Sequence, residues 1–380
     1  DVKKEFLDRV DSSWSELEYA FPSVLTGFIE IDAASSSENE VFVAFDEIKP
    51  DGGWAYGRSN CNDFINLLCG SGKNRFLSAN PYCFAHLRLI SRHPITAQVH
   101  LRSLENDSFP SQPKRGGKNL QAIQKAAERT FRQNAVDLFT DCPGRERAGW
   151  LCDSYFTGIA EAYFTGKNSI EKAFLENFLL ADCEEIPSWM LPMCFPSEHT
   201  DGTFIPNWSL WFILELASYS RRNHDAALVQ RAKEKVTRLL TGFVAYENEF
   251  GLLENLPSWV FVEWSKANDP SFIAGVNFPT NMLYARALEE AAALYGNPNF
   301  SAKAASLKKT IEALSFQNGF FVDNATRSDK TLMPQVDHIS ETCQYYALSM
   351  GMSCSPSFKE KMVRSFGPER TAAYPEVCPS

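Results

Sequence analysis

The feature that most narrows the fold of this chain is a helical period that begins at residue 120 and recurs up to residue 366. Leu120, Ile123, Ala127, Phe131, Ala135 and Leu138 stand three or four residues apart, the spacing of one apolar stripe on an α-helix, and this first helix is read as ending just before Asp141. Further helices are read at 153–166, 169–182, 207–222, 224–245, 278–295, 300–315, 339–350 and 356–366, which makes nine. Short and long connections alternate between them. The long ones, 195–208, 254–269 and 319–338, carry aromatic and acidic residues. Consecutive helical hairpins with such loops predict an α/α toroid with its functional loops on one face.

Residues 1–106 follow a different pattern, of strands and turns. "EVFVAFDEI" (40–48) holds a short apolar run, and "ITAQVHL" (95–101) alternates Ile95, Ala97, Val99 and Leu101 with polar residues, as a half-buried strand does. "KPDGGWAYG" (49–57) reads as turn chemistry. This part is read as a β-sandwich lacking some N-terminal strands. "NDSFPSQPKRGGKN" (106–119), rich in Pro, Gly, Ser and charge, marks the boundary. The expected division is a β-sandwich domain over 1–112 and a helical domain over 113–380.

A net charge of −10 argues against a nucleic-acid partner, which would ask for a basic face, and 44% hydrophobic residues exclude disorder. No run of about eighteen apolar residues occurs, so no membrane-spanning helix is expected. The ten cysteines form no CxxC pair, and with six histidines no zinc spacing emerges, so neither metal nor cofactor is expected. Paired disulfides and scattered buried thiols remain equally open, and with them the compartment. The start at Asp1 reads as the result of a removed upstream segment or as a boundary.

The densest chemistry is "DCPGRERAGWLCD" (141–153), a loop between two helices, the second starting near Asp153. Glu146 stands between Arg145 and Arg147, whose charges lower its proton affinity, while burial against Trp150 and the neighbouring acids raises it. A carboxyl balanced in this way suits a general acid. The same residues also suit a structural ion-pair knot that pins two helices.

This loop resembles the signature loop of α-L-rhamnosidases of the six-hairpin glycosidase superfamily. The resemblance continues through "IPNWSLWFILEL" (205–216), "FVEW" (261–264) and "HISETCQYYAL" (338–347), and covers most of residues 118–350. It implies a multidomain β plus α protein, a β-sandwich followed by an (α/α)6 toroid. The implied reaction is inverting hydrolysis that frees terminal non-reducing α-L-rhamnose from glycosides or polysaccharides. It assigns Glu146 as the acid and Asp141 and Asp153 as ligands of the sugar ring, with Arg145 and Trp150 shaping the same pocket. Inversion needs a second carboxylate. In the family it lies in a late "WE" segment, and residues 1–380 contain no counterpart. With nine helices where twelve are implied, the toroid is expected to be incomplete, lacking its C-terminal hairpins, and the chain alone to have little activity. The alternatives are a related six-hairpin glycosidase for another sugar and a non-catalytic carbohydrate-binding remnant.

Glu263 in "FVEWS" is read as a ligand of sugar hydroxyls or a substitute base, or else as a buried carboxylate bonded to backbone N–H groups. Glu341 is read as a cavity acid or as part of an N-terminal capping arrangement with Ser340. Trp208 and Trp211, three apart, share a helix face and can offer an aromatic surface to a deoxy sugar or belong to the core. His199 and His338 are further candidates in loops, and "ADCEE" (181–185) reads as a solvated helix end. The oligomeric state is left open.

Overall fold

The computed structural model describes residues 2–49, 52–54, 62–107, 116–197, 201–352 and 355–366. Two compact units emerge, Asp1–Ala148 with Ala160–Ile170, and Gly149–Ile159 with Glu171–Ser380. The expected junction at 112 and 113, most of the 49–57 turn, and His199 lie outside the described residues.

The first unit opens with α1 (Val2–Arg9), followed by β1 (Ser15–Ser35), β2 (Asn39–Asp46), β3 (Asn62–Cys69), β4 (Gly72–Leu77), β5 (Tyr82–Ser91) and β6 (Ile95–Ser103). All six strands belong to one antiparallel sheet of order β3-β2-β5-β1-β4, with β6 also on β1. β1 makes this possible. Its first part pairs with β5, its register shifts between Ala20 and Leu25, and its last part, up to Ser35, pairs with β4 and β6. Pro22 falls in the shift, where a missing N–H costs the ladder nothing. Such a bend lets one strand serve both layers of a sandwich. Ile29, Ile31 and Ala33 beyond the bend accordingly pack with Val41, Val43, Phe45, Leu87 and Leu89 of strands they do not pair with beyond it. Gly27 is required here, because a Cβ would collide with the Arg102 carbonyl.

The reading of residues 1–106 as strands and turns alone omits α1. Its Phe6 packs on Phe42, Ala44, Phe64 and Ile90, the face of the sheet opposite the main core. β2 is therefore buried on both faces, which is why its apolar run shows no alternation.

Helix α2 (Lys118–Asn134) belongs with this unit: Gln133 and Arg129 bond to Thr26 and the Val24 carbonyl of β1. It stops at Asn134, six residues earlier than its apolar period predicts. Ala135 and Phe139 pair as an antiparallel bridge, and the Thr140 N–H donates to the Asn134 carbonyl at 2.9 Å. Ala135, a member of that period, is buried in this turn together with Phe139, so the period outlasts the helix.

Beyond it come α3 (Asp153–Thr165), α4 (Ser169–Leu180), α5 (Pro206–Asn223), α6 (Ala226–Phe243), the four-residue α7 (Pro270–Ile273), α8 (Phe278–Tyr295), α9 (Pro298–Ser315), α10 (Glu341–Ser349) and α11 (Pro356–Phe366). With α2 and without α7, these correspond one for one to the nine helices expected. In the second unit α5 is buried at every position from Pro206 to Tyr219, and α8 from Phe278 to Ala285. α6 and α9 bury single stripes, Leu228, Ala232, Val236, Leu239 and Phe243 on one and Ala304, Leu307 and Ile311 on the other. This is the pattern of inner helices backed by outer ones. The long 319–338 connection is more ordered than expected. It contains β10 (Asn324–Ser328) and β11 (Thr331–Pro334), which form a three-stranded sheet with β7 (Val276–Asn277), beside the pair β8 (Phe316–Gln317) and β9 (Phe320–Phe321).

Candidate active site

The acidic loop divides between the two units. In the first, Asp141 closes the loop: its N–H donates to the Ala148 carbonyl at 3.1 Å, and its Oδ1 accepts the Ala148 N–H at 3.1 Å. Inside, the Glu146 N–H donates to Cys142 Sγ at 3.3 Å, and Arg145 Nη2 pairs with Glu146 Oε1 at 2.7 Å. Arg147, at φ 52°, donates to the Pro81 carbonyl. Burial, with the nearby Asp141 carboxylate, pushes the Cys142 thiol up. Burial and Glu47 likewise raise Cys83 to about 12. Both thiols stay protonated, and the loop is a polar scaffold with Glu146 partly open to solvent.

In the second unit the N-terminal ends of α3, α5 and α10 come together with the 259–265 segment. Trp150, buried, meets Trp208 edge to face at 5.6 Å, and Trp208 meets Phe261 at 5.3 Å. Trp211 contacts Tyr155 at 5.2 Å, Phe156 at 5.6 Å and Tyr346 at 6.4 Å. The Tyr346 hydroxyl donates to the Val262 carbonyl at 3.3 Å, and Ser265 and Thr342 share a hydrogen bond at 3.1 Å. Asp153, in the first turn of α3, and Glu263 are exposed. Burial raises the thiol of Cys152 well above its ordinary value, and the charges of Asp153, Glu263 and Glu215 add to this. Tyr346 is raised by burial and then by Cys152 and Glu263. Asp153 and Glu263 therefore act on one neighbourhood.

Trp208 and Trp211 are buried at 9% and 5% exposure, so they form the floor beneath this surface. Glu263 corrects one expectation: its Oε1 accepts the Trp264 N–H at 2.6 Å, but the residue is exposed rather than buried. Glu341 is the first residue of α10. Ser340 alone caps the helix, accepting the Cys343 N–H at 3.0 Å, and Glu341 accepts the Tyr345 hydroxyl. A capping box needs its acid two residues later. His338 bonds Asn324 at 2.7 Å and stacks on Phe272 at 4.3 Å, which gives it a structural place. Sequence reasoning passed over Trp264, 58% exposed and packed on Phe261 at 4.7 Å, although it stands inside "FVEW". It also passed over the exposed rings of Phe156 and Tyr345. Among the described residues no group of three or more His, Cys, Asp or Glu side chains could hold a metal, and no helix is long and apolar enough to cross a membrane. The seven described cysteines are free thiols.

A β domain followed by paired helices whose N-terminal ends gather carboxylates over an aromatic floor is the architecture of six-hairpin glycosidases. More narrowly, residues 116–368 match the bacterial α-L-rhamnosidase six-hairpin glycosidase domain, and the chain belongs to that family. Among solved structures it is similar to a GH78 family rhamnosidase of Bacillus sp. GL1, with 22% identity, TM-score 0.80, and coverage of 93% of this chain and 38% of that one. It is similar to a rhamnosidase from Klebsiella oxytoca with rhamnose bound, with 17% identity, TM-score 0.74, and coverage of 97% and 74%. For an α-L-rhamnosidase from Dictyoglumus thermophilum the values are 15%, 0.65, 93% and 40%. The chain thus spans well under half of the Bacillus and Dictyoglumus chains, and at these identities the likeness concerns the fold. Comparison with curated proteins returns no match.

Proposed function

We propose that this chain carries the acid and sugar-binding part of an inverting glycoside hydrolase that releases terminal non-reducing α-L-rhamnose. The reading is supported by the 141–153 loop, which resembles the family's signature loop, lies within the 116–368 stretch that matches the family, and holds Glu146 at a partly open position. Rhamnose is also the sugar bound to the Klebsiella relative.

In this reaction Glu146 gives its proton to the glycosidic oxygen as the bond from that oxygen to the anomeric carbon breaks. A water oxygen forms the new bond from the opposite face, and a carboxylate takes the water's proton. Asp141 and Asp153 hold ring hydroxyls, and Arg145 pairs with Glu146. Trp264 offers an aromatic face to the apolar side of the sugar. Within residues 1–380 the base falls to Glu263 before Glu341, since Glu263 is exposed and Glu341 already accepts from Tyr345. To serve, it must stand about 6.5–9.5 Å from Glu146.

The test is release of L-rhamnose from a nitrophenyl rhamnoside and from a natural glycoside by the purified chain. Slow release is expected, reduced by Glu146→Gln roughly 10²- to 10⁴-fold on the natural glycoside and less on the better leaving group. An unchanged rate in that variant overturns the acid assignment, and faster release of another sugar overturns the substrate. Rhamnose bound without release would make the chain a carbohydrate-binding protein instead.

A further inference from the structure

Below the start of α3 lies a carboxyl group for which the proposed chemistry has no use. Glu215 of α5 is fully buried; its Oε2 accepts the Ser154 hydroxyl at 2.5 Å, and its Oε1 has no hydrogen-bond partner. Glu215 stands four residues after Trp211, hence on the same face of α5. Trp211 packs on Tyr155 at 5.2 Å. Two consecutive residues of α3, Ser154 and Tyr155, are therefore gripped by one ridge of α5, and the residue just before them is Asp153.

The charged and titratable groups facing Glu215 are Glu171 of α4, Arg222 of α5 and the Cys152 thiol. Burial, then the Glu171 charge, pushes the Glu215 carboxyl well above the ordinary glutamate range, with Ser154 and Arg222 acting the other way. Its surroundings favour the protonated, uncharged form over the carboxylate. Stability alone gives no reason for it, since its neighbours Leu214 and Leu216 are apolar and burying a polar group with one oxygen unpartnered is costly. What an apolar residue could not supply is the bond to Ser154.

We propose that Glu215 is a positioning residue: through Ser154 Oγ it fixes the first turn of α3, and so the direction in which Asp153 presents its carboxylate. The proposal rests on the reading of Asp153 as a sugar ligand.

Its test is the affinity for L-rhamnose by calorimetry, with thermal unfolding as control, in the full chain. Ser154→Ala and Glu215→Leu should each weaken binding about five- to ten-fold, and Glu215→Gln, which keeps the acceptor, should recover to within about two-fold of the unaltered chain. In an Asp153→Asn background Ser154→Ala should cost no further affinity, because its effect runs through Asp153. Full additivity in that background, or unweakened binding by the Leu and Ala variants, overturns the proposal. If the Leu variant fails to fold, the smaller Ser154→Ala change still decides. Absence of rhamnose binding in the unaltered chain would overturn the reading of the site, and this proposal with it, a result distinct from either.

Discussion

Asp141 and Ala148 hold each other across the acid loop through two hydrogen bonds of 3.1 Å, so a carboxylate assigned to the sugar also closes the turn that carries Glu146. The two roles separate by substitution. Asp141→Asn keeps Oδ1 as acceptor and should change stability by less than about 0.5 kcal/mol while weakening rhamnose binding several-fold. Asp141→Leu leaves the buried Ala148 N–H unpaired and should cost about 1–3 kcal/mol by denaturant unfolding. Equal stability losses in both variants would refute this division.

Gly158 should resist the substitution that helix propensity favours. A Cβ there would collide with the Glu171 carboxyl, which is fully buried and bonded to Arg222 at 2.6 Å through both oxygens. Alanine is the better helix former by about 1 kcal/mol, but overpacking costs about 1–3 kcal/mol. Gly158→Ala should therefore lower the melting temperature. A rise would show that the ion pair can move aside.

Two buried carboxyls should give pH slopes of opposite sign. Glu215 is raised above the ordinary value of 4.5, so between that pH and its folded value the unfolded chain has lost a proton that the folded chain keeps. Stability falls as pH rises through this window, and Glu215→Gln should remove that slope. Glu30 is held down to about 2 by Arg102 and then Arg75. Its contribution is present above 4.5 and is lost as pH falls toward 2, and Glu30→Gln should abolish that loss. Urea titrations across pH would check both signs.

The aromatic residues should split by burial. Trp208→Ala removes a ring bounded by Trp150 and Phe261 and should cost about 3–5 kcal/mol. Trp264→Ala, at an exposed ring, should cost less than about 1 kcal/mol yet weaken sugar binding. If Trp264→Ala binds rhamnose normally, its place in the site is withdrawn.

Most of the helical part is legible in the sequence, because single stripes such as Leu228, Ala232, Val236 and Leu239 announce themselves by period. The end of α2 is not, since Ala135, a member of the apolar period, is buried with Phe139 in a bridge beyond Asn134. The bend in β1 is hidden too. Which part of that strand pairs with β5 and which with β4 and β6 depends on residues far apart in the chain. At the site, residue types and order are visible in "DCPGRERAGWLCD", but burial is not. Nothing local distinguishes the buried Trp211 from the exposed Trp264, or marks Ser154 as the partner of a glutamate 61 positions away.

The most direct test of the central claim is a crystal structure of the chain with L-rhamnose bound. Ring hydroxyls are expected within about 2.6–3.2 Å of the Asp141 and Asp153 carboxylates, with the anomeric oxygen facing Glu146. Rhamnose bound elsewhere, or placed with those three carboxylates out of hydrogen-bond reach, would contradict it.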